Sequence, residues 1–280
     1  RHTTARPTAV TIMLNLRARF GGKRRPLLLL LAIVLVLLSS LLAYAFTRPA
    51  PDGPKPILGL MTTLPLQWSE GGVEADLAED AQPHPAFARL SRSYDVQPLD
   101  NLDDAVKLPL LLLAQPRAFS PKELVALDSW VRKGGRLLIL ADPALQWGSL
   151  YPLGDKRRPL FTSMLSPLFA HWGLELVLPI ADAEPMAIRK IGKLSIRTQT
   201  PGEWLKIGRG GSARCALEEG GLLADCKIGK GRALLVADAD LLDTAYWEGR
   251  GMRVLTGGDE FGNVAWVELL LSILLICKTQ

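Results

Sequence analysis

Residues 108–141 read LPLLLLAQPRAFSPKELVALDSWVRKGGRLLILA, and this stretch decides the fold class. Residues 108–114 and 136–141 are apolar on both faces, the pattern of central parallel strands covered from both sides. Pro109 stands near the start of the first run, where a missing amide donor is tolerable. Between the runs, Ser120-Pro121-Lys122-Glu123 is a capping box with proline at the first helical position. Leu124, Leu127 and Val131 then share one helical face with Trp130 beside them, and Gly134-Gly135 supplies a left-handed stop. Strand, helix and strand within about 34 residues make a βαβ unit with a right-handed crossover.

The same alternation continues outward. Residues 57–61 (ILGLM) form a strand, residues 84–93 (HPAFARLSRS) a helix with Phe87 and Leu90 on one face, and residues 94–96 open another strand. A helix is expected over 163–172, strands over 174–178 and 232–237, and a closing helix over 264–277 with Asn263 as its cap. Residues 179–230 are Gly-rich and mixed in charge, and read as extended and hairpin structure added to the core. This order fits an α/β protein with a layered, mostly parallel sheet and helices on both sides. The closing run VAWVELLLSILLIC has 14 residues, about 21 Å of helix, against the roughly 17–25 residues of a membrane span. It reads as a core helix, with a membrane-dipping segment as the alternative.

Upstream of this domain, residues 26–46 (PLLLLLAIVLVLLSSLLAYAF) hold 21 residues without a charge, about 30 Å of helix and the thickness of a bilayer core. Ser39 and Ser40 can bond back to the preceding turn. Arg17, Arg19, Lys23, Arg24 and Arg25 precede this run, whereas Arg48 and Lys55 follow it. The positive-inside bias puts residues 1–25 in the cytoplasm as a basic tail and residues 47–280 outside it, with 57–280 as the outer domain. Residues 47–56 (TRPAPDGPKP) carry four prolines and read as a stiff spacer. The rival reading is a cleaved signal peptide with a small-residue site near Ala43 and Ala45. The expected location is the inner membrane, single-pass, with a periplasmic main domain and the lipid bilayer as a partner.

Charge and cysteine content narrow the function. Net charge is +5 over 280 residues, but residues 1–25 hold seven basic side chains and no carboxylate, leaving −2 on the other 255. The basic balance belongs to the tail, so nucleic acid is not an expected partner. Three cysteines are too few for a disulfide scaffold. With Gly220-Gly221 as a two-residue turn, Cys215 falls opposite Cys226 on a hydrogen-bonded site about 5.5 Å wide. That separation permits a disulfide outside the cytoplasm; two facing small hydrophobes are the alternative. Cys277 is expected to be a buried free thiol.

Candidate chemistry is confined to strand ends. Asp142 follows strand 136–141, and Asp238 and Asp240 follow strand 232–237, with Asp243 one turn on; ligands of open parallel sheets bind beyond such ends. Hard cations take oxygen ligands, which makes Asp142, Asp238 and Asp240 a speculative metal cluster. The stronger reading is that Asp142 and Asp238 cap the turns that follow, so no metal and no cofactor is expected. No G-x-S-x-G or G-x-C-x-G elbow follows any strand. His84, in a Pro-flanked helix start, and His171, beside Trp172, read as structural. Gly208-Arg209-Gly210-Gly211 and Gly229-Lys230-Gly231-Arg232 lack the Walker spacing, and the second reads as a tight turn. No catalytic residue is assigned, and the chain is not expected to be an enzyme.

Three stretches, LLLAQPRAFSPKELVALDSWVRKGGRLLILADPAL (111–145), KIGKGRALLVADADLLD (227–243) and GNVAWVELLL (262–271), together resemble the gliding-motility-protein-G-like group. Those are membrane-anchored accessory proteins linked to uncharacterised ABC transport systems. The resemblance spans roughly residues 57–277. It implies a flavodoxin-like three-layer sandwich, similar to the class I glutamine amidotransferase fold, without amidotransferase chemistry. It also implies a membrane-protein partner such as an ABC permease. The chain departs from longer members in having one span and a shorter outer region. An extracytoplasmic metal-dependent hydrolase using Asp142, Asp238 and Asp240, and a structural envelope scaffold, are the competing functions.

Overall fold

The computed structural model describes residues 25–46, 53–67, 70, 83–179, 186–208, 212–249 and 259–276. All but the last residue of the expected tail 1–25, most of the spacer and Cys277 lie outside these. The chain divides into two units, Arg1–Gly53 and Pro54–Gln280.

In the first unit, helix α1 spans Arg25–Phe46, and its side chains are described over residues 30–40 only. Among the residues whose side chains are described, which in α1 are 30–40 alone, no helix is long and apolar enough to cross a membrane. The Ser39 and Ser40 hydroxyls donate to the carbonyls of Val36 and Leu37, each at 2.9 Å, so neither polar group breaks the apolar run.

The second unit is an α/β sandwich built on a seven-stranded sheet. Its strands are β1 (Ile57–Thr62), β2 (Asp95–Pro98), β3 (Leu110–Ala114), β4 (Arg136–Leu140), β9 (Arg214–Glu218), β10 (Leu223–Ile228) and β11 (Gly231–Val236), in the order β2-β1-β3-β4-β11-β10-β9. The first five run parallel; β10 and β9 continue the sheet antiparallel. Every residue of β3 is buried and so are the last four of β4. Only cover on both faces achieves this.

The cover comes from helices α2 (Pro85–Ser93), α3 (Leu102–Ala105), α4 (Pro121–Arg132), α5 (Ser166–His171), α6 (Thr244–Trp247) and α7 (Asn263–Ile276). The capping box of α4 is formed: Ser120 Oγ accepts from the Glu123 amide, and a Glu123 carboxylate oxygen accepts from the Ser120 amide at 2.8 Å. Arg117 bonds the same carboxylate at 2.6 Å and, with the Ser120 amide, holds its pKa down at about 2. Gly134 ends the helix at φ 119°. Helix α7 buries Val264, Trp266, Val267, Leu270, Leu271 and Leu274, as a core helix should.

Two expectations need correction. Asn263 does not cap its helix. Its side chain accepts from the Arg197 amide at 2.9 Å and donates to the Arg197 carbonyl at 2.8 Å, clamping β7 (Leu194–Gln199) to the helix start. Strand β5 (Leu174–Val177) does not join the main sheet but pairs antiparallel with β8 (Glu203–Lys206). The free side of β11 is already taken by β10, its hairpin neighbour. The 179–230 region is the extended and hairpin structure expected: β6 (Met186–Ile191) and β7 form their own hairpin, while β9 and β10 extend the core sheet.

The turn Gly229-Lys230 joins β10 to β11, with Gly229 at φ 58°. The Lys230 amide donates to Arg132 O and the Arg232 amide to Gly135 O, so the hairpin butts against the end of α4. A Cβ on Gly231 would collide with the carbonyl oxygens of Val131 and Gly135. Gly231→Ala is therefore expected to cost about 1–3 kcal/mol through overpacking, read as a lower denaturant midpoint with an unchanged slope.

Candidate functional site

Strands β4 and β11 are parallel neighbours with Leu140 opposite Val236. Two residues beyond each of these lie Asp142 and Asp238, so register alone carries both aspartates to the same carboxyl edge. Both are fully buried, Asp240 is 1% exposed, and one carboxylate oxygen from each of the three lies within 4.8 Å of the others.

Asp142 and Asp238 cap the turns that follow them, as the sequence suggests, whereas Asp240 reaches across to an amide of the Asp142 loop. Asp142 Oδ1 accepts from the Ala144 amide at 2.8 Å and its Oδ2 from Ala239 at 3.2 Å. Asp238 Oδ1 accepts from Leu241 at 3.1 Å, and Asp240 Oδ2 from Gln146 at 2.8 Å. These bonds leave Asp238 Oδ2 and Asp240 Oδ1 buried without a hydrogen-bond partner. Asp243 stands apart as the N-cap of α6, accepting from Ala245 at 2.9 Å.

Burial dominates the electrostatics. It raises the pKa of Asp142 to about 6 against the pull of its amide donors. Burial, then the charge of Asp142, raises Asp240 to about 8. Asp238 is raised well above the usual carboxylate range by burial and by both neighbours. The Tyr246 phenol is pushed up to about 12 by burial and then by the surrounding aspartates.

Sequence reasoning missed Gln115, the residue that organises this edge. It directly follows β3, is fully buried and adopts φ 43°, a left-handed conformation that non-glycine residues adopt at some cost and that clusters at functional turns. Its Nε2 donates to the carbonyls of Leu160 (2.8 Å) and Asp142 (3.3 Å), and its Oε1 accepts from the Asp142 amide at 2.9 Å. Thr63, just past β1, donates both its hydroxyl and its amide to the Gln115 carbonyl. The ends of β1, β3 and β4 are thus tied by one side chain and one carbonyl. A strained strand-end turn is where hydrolases of layered α/β folds hold a nucleophile; here it holds an amide with no nucleophilic atom.

The other candidates fall elsewhere. His84 caps α2, its Nδ1 accepting from the Ala86 amide at 3.2 Å, and burial lowers its pKa to about 4. His171 closes α5, half-exposed, with Nε2 3.6 Å from Asp128. Gly229-Lys230 is the hairpin turn described above, and residues 209–211 of the other Gly-rich loop lie outside the described residues. Beyond β1 and β2, Thr62, Thr63, Glu70, Asp100, Tyr151 and Arg157 line a cleft of about 340 Å³.

Cys215 pairs with Cys226 across β9–β10, and the two are joined by a disulfide with Cα atoms 4.0 Å apart. The separation is that of a non-hydrogen-bonded pair, not the wider site expected. Glu219 and Gly220 lie in a 3₁₀ turn with positive φ. The last paired residues are therefore Glu218 and Leu223, and a four-residue loop inverts the bonding parity.

Residues 55–177 match the family described as an ABC-type uncharacterized transport system. This supports an ABC-transport accessory protein over under half of the chain, and does not separate the gliding-motility-protein-G-like group from other such proteins. No curated protein matches the chain. Among solved structures, an exo-β-1,4-mannosidase from Opitutaceae bacterium strain TAV5 is similar at 16% identity and TM-score 0.41, covering 82% of this chain and 38% of its own. A β-galactosidase from Rahnella sp. R3 is similar at 13% identity and TM-score 0.38, over 78% of this chain and 32% of its own. The chain thus spans about a third of the length of these enzymes. A cytoplasmic protein from Salmonella typhimurium, STM3548, is similar at 11% identity and TM-score 0.32, over 63% and 79%.

The raised aspartate pKa values carry a sign. Protons held by the folded state and lost from the unfolded one favour folding most below about pH 4, and that advantage fades as pH rises through the folded values, about 6 for Asp142 and about 8 for Asp240. With divalent ions chelated, thermal unfolding of the wild type should fall in midpoint between pH 4 and 8. Asp240→Asn should flatten that slope and melt higher than wild type at the alkaline end.

Proposed function

We propose that this chain is a non-enzymatic, membrane-anchored accessory component of an ABC-type transport system, presenting its α/β unit to a partner protein outside the cytoplasm. The observation that carries the reading is the match of residues 55–177 to an ABC-type transport-system family. The strand order β2-β1-β3-β4-β11, parallel throughout, is the 2-1-3-4-5 order of flavodoxin-like sheets. It supports the flavodoxin-like, class I glutamine amidotransferase-like sandwich that the resemblance implies. Gln115 in the strained turn after β3, with its side-chain amide committed to backbone groups, supports a binding role over catalysis.

Anchoring rests on residues 26–46. Their helix runs unbroken from Arg25 to Phe46, and 22 residues at 1.5 Å each give about 33 Å. The basic tail before it favours an N-terminus in the cytoplasm and a periplasmic sandwich, the inner membrane holding the chain once. The Cys215–Cys226 disulfide suits an oxidising compartment.

Two measurements on the full chain in its own cells test this. A reporter active only outside the cytoplasm, fused after Gln280, should be active. Crosslinking before detergent extraction should retrieve an ABC permease or ATPase. A silent extracytoplasmic reporter, paired with an active cytoplasmic one, contradicts the topology; retrieval of self-copies alone would favour the envelope scaffold.

A further inference from the structure

We propose that Asp142, Asp238 and Asp240 hold one Ca²⁺-sized divalent cation that staples the ends of β4 and β11 together. Backbone amides occupy both oxygens of Asp142 but only one each of Asp238 and Asp240. What remains is Asp238 Oδ2, in a residue 0% exposed, and Asp240 Oδ1, in a residue 1% exposed, both without any donor. A buried polar atom left unpaired costs about 1–3 kcal/mol, more when charged. Among the described residues no Lys or Arg is ion-paired with any of the three. Turn formation explains the cluster's presence but not its two orphaned oxygens.

The donor set fits a hard cation, since every offered atom is a carboxylate oxygen. Ligand atoms all within 4.8 Å of one another can be bridged by metal–oxygen bonds of about 2.4 Å, the calcium range. Magnesium dehydrates reluctantly and is seldom held by a closed all-protein cage, so the buried site favours calcium. The amides of Ala144, Ala239, Leu241 and Gln146 fix the carboxylates from behind, the orienting role that outer-shell groups play at metal sites. Closure of the site on all sides marks it as structural, because a catalytic metal keeps an open coordination position. The inference is independent of the transport reading.

The test is calorimetric titration of the chelator-stripped full chain with CaCl₂ and, separately, MgCl₂, followed by thermal unfolding with each ion. Expected are one saturable site with half-saturation at or below about 1 mM, tighter for Ca²⁺, and a raised melting temperature. Asp238→Asn keeps the Leu241 cap but should weaken Ca²⁺ at least about tenfold. Asp243→Asn, outside the cluster, should bind as wild type does. If Asp238→Asn does not fold, Asp240→Asn is read in the same way. No saturable heat, or equal affinity in wild type and the folded cluster variant, overturns the site. So does stabilisation by acid with no response to either ion, which would leave shared protons as the occupants.

Discussion

Burial of β3, β4 and β11 on both faces is the constraint on which this structure depends. Past Arg136 and Arg232 at their amino ends, apolar side chains fill both sides and leave these strands no surface on which to place a polar group. Polarity is therefore displaced to the strand ends, and the carboxyl edge collects it: Gln115 after β3, Asp142 after β4, and Asp238 and Asp240 after β11. Each is buried because the turns above it fold back over the edge. Their side chains satisfy amides and carbonyls that those turns would otherwise leave without partners.

Much of this was legible in residues 108–141, where capping box, apolar helical face and glycine stop all agree with the strands on either side. Agreement across levels is what makes a stretch readable. Pairing partners were less legible. The run 174–177 is as strand-like as others, yet whether it reaches the main sheet depends on which strand occupies the side of β11, a tertiary choice settled by the short Gly229-Lys230 turn. The Cys215–Cys226 register could be counted correctly from the sequence, but the bonding parity could not. It depends on whether Gly220-Gly221 or a four-residue loop makes the turn.

The candidate site was half visible. The repeated Ala-Asp after two buried runs marked the aspartates, and capping was rightly expected of Asp142 and Asp238. Their convergence required the β4–β11 register, which no local signal encodes. Gln115 carried no signal at all: glutamine is ordinary in a turn, and its positive φ and its hydrogen bonds to Leu160, Asp142 and Thr63 exist only once β1, β3 and β4 are side by side. Asn263 misled for a related reason. It is a plausible cap in isolation, but the Arg197 backbone offers it both a donor and an acceptor.

These features describe an edge closed by its own hydrogen bonds where layered α/β proteins often keep reactive groups, with the open cleft displaced to β1 and β2. The central claim is that Gln115 is a structural latch and not the remnant of a reactive turn free to change. The most direct measurement is the unfolding free energy of Gln115→Ala by denaturant titration. Removing the amide strands the buried Asp142 amide and the part-buried Leu160 carbonyl, while the Asp142 carbonyl keeps the Ser163 amide, so a loss of about 2–4 kcal/mol is expected. A change within about 0.5 kcal/mol, the range of substitutions on an unconstrained surface, would contradict the account.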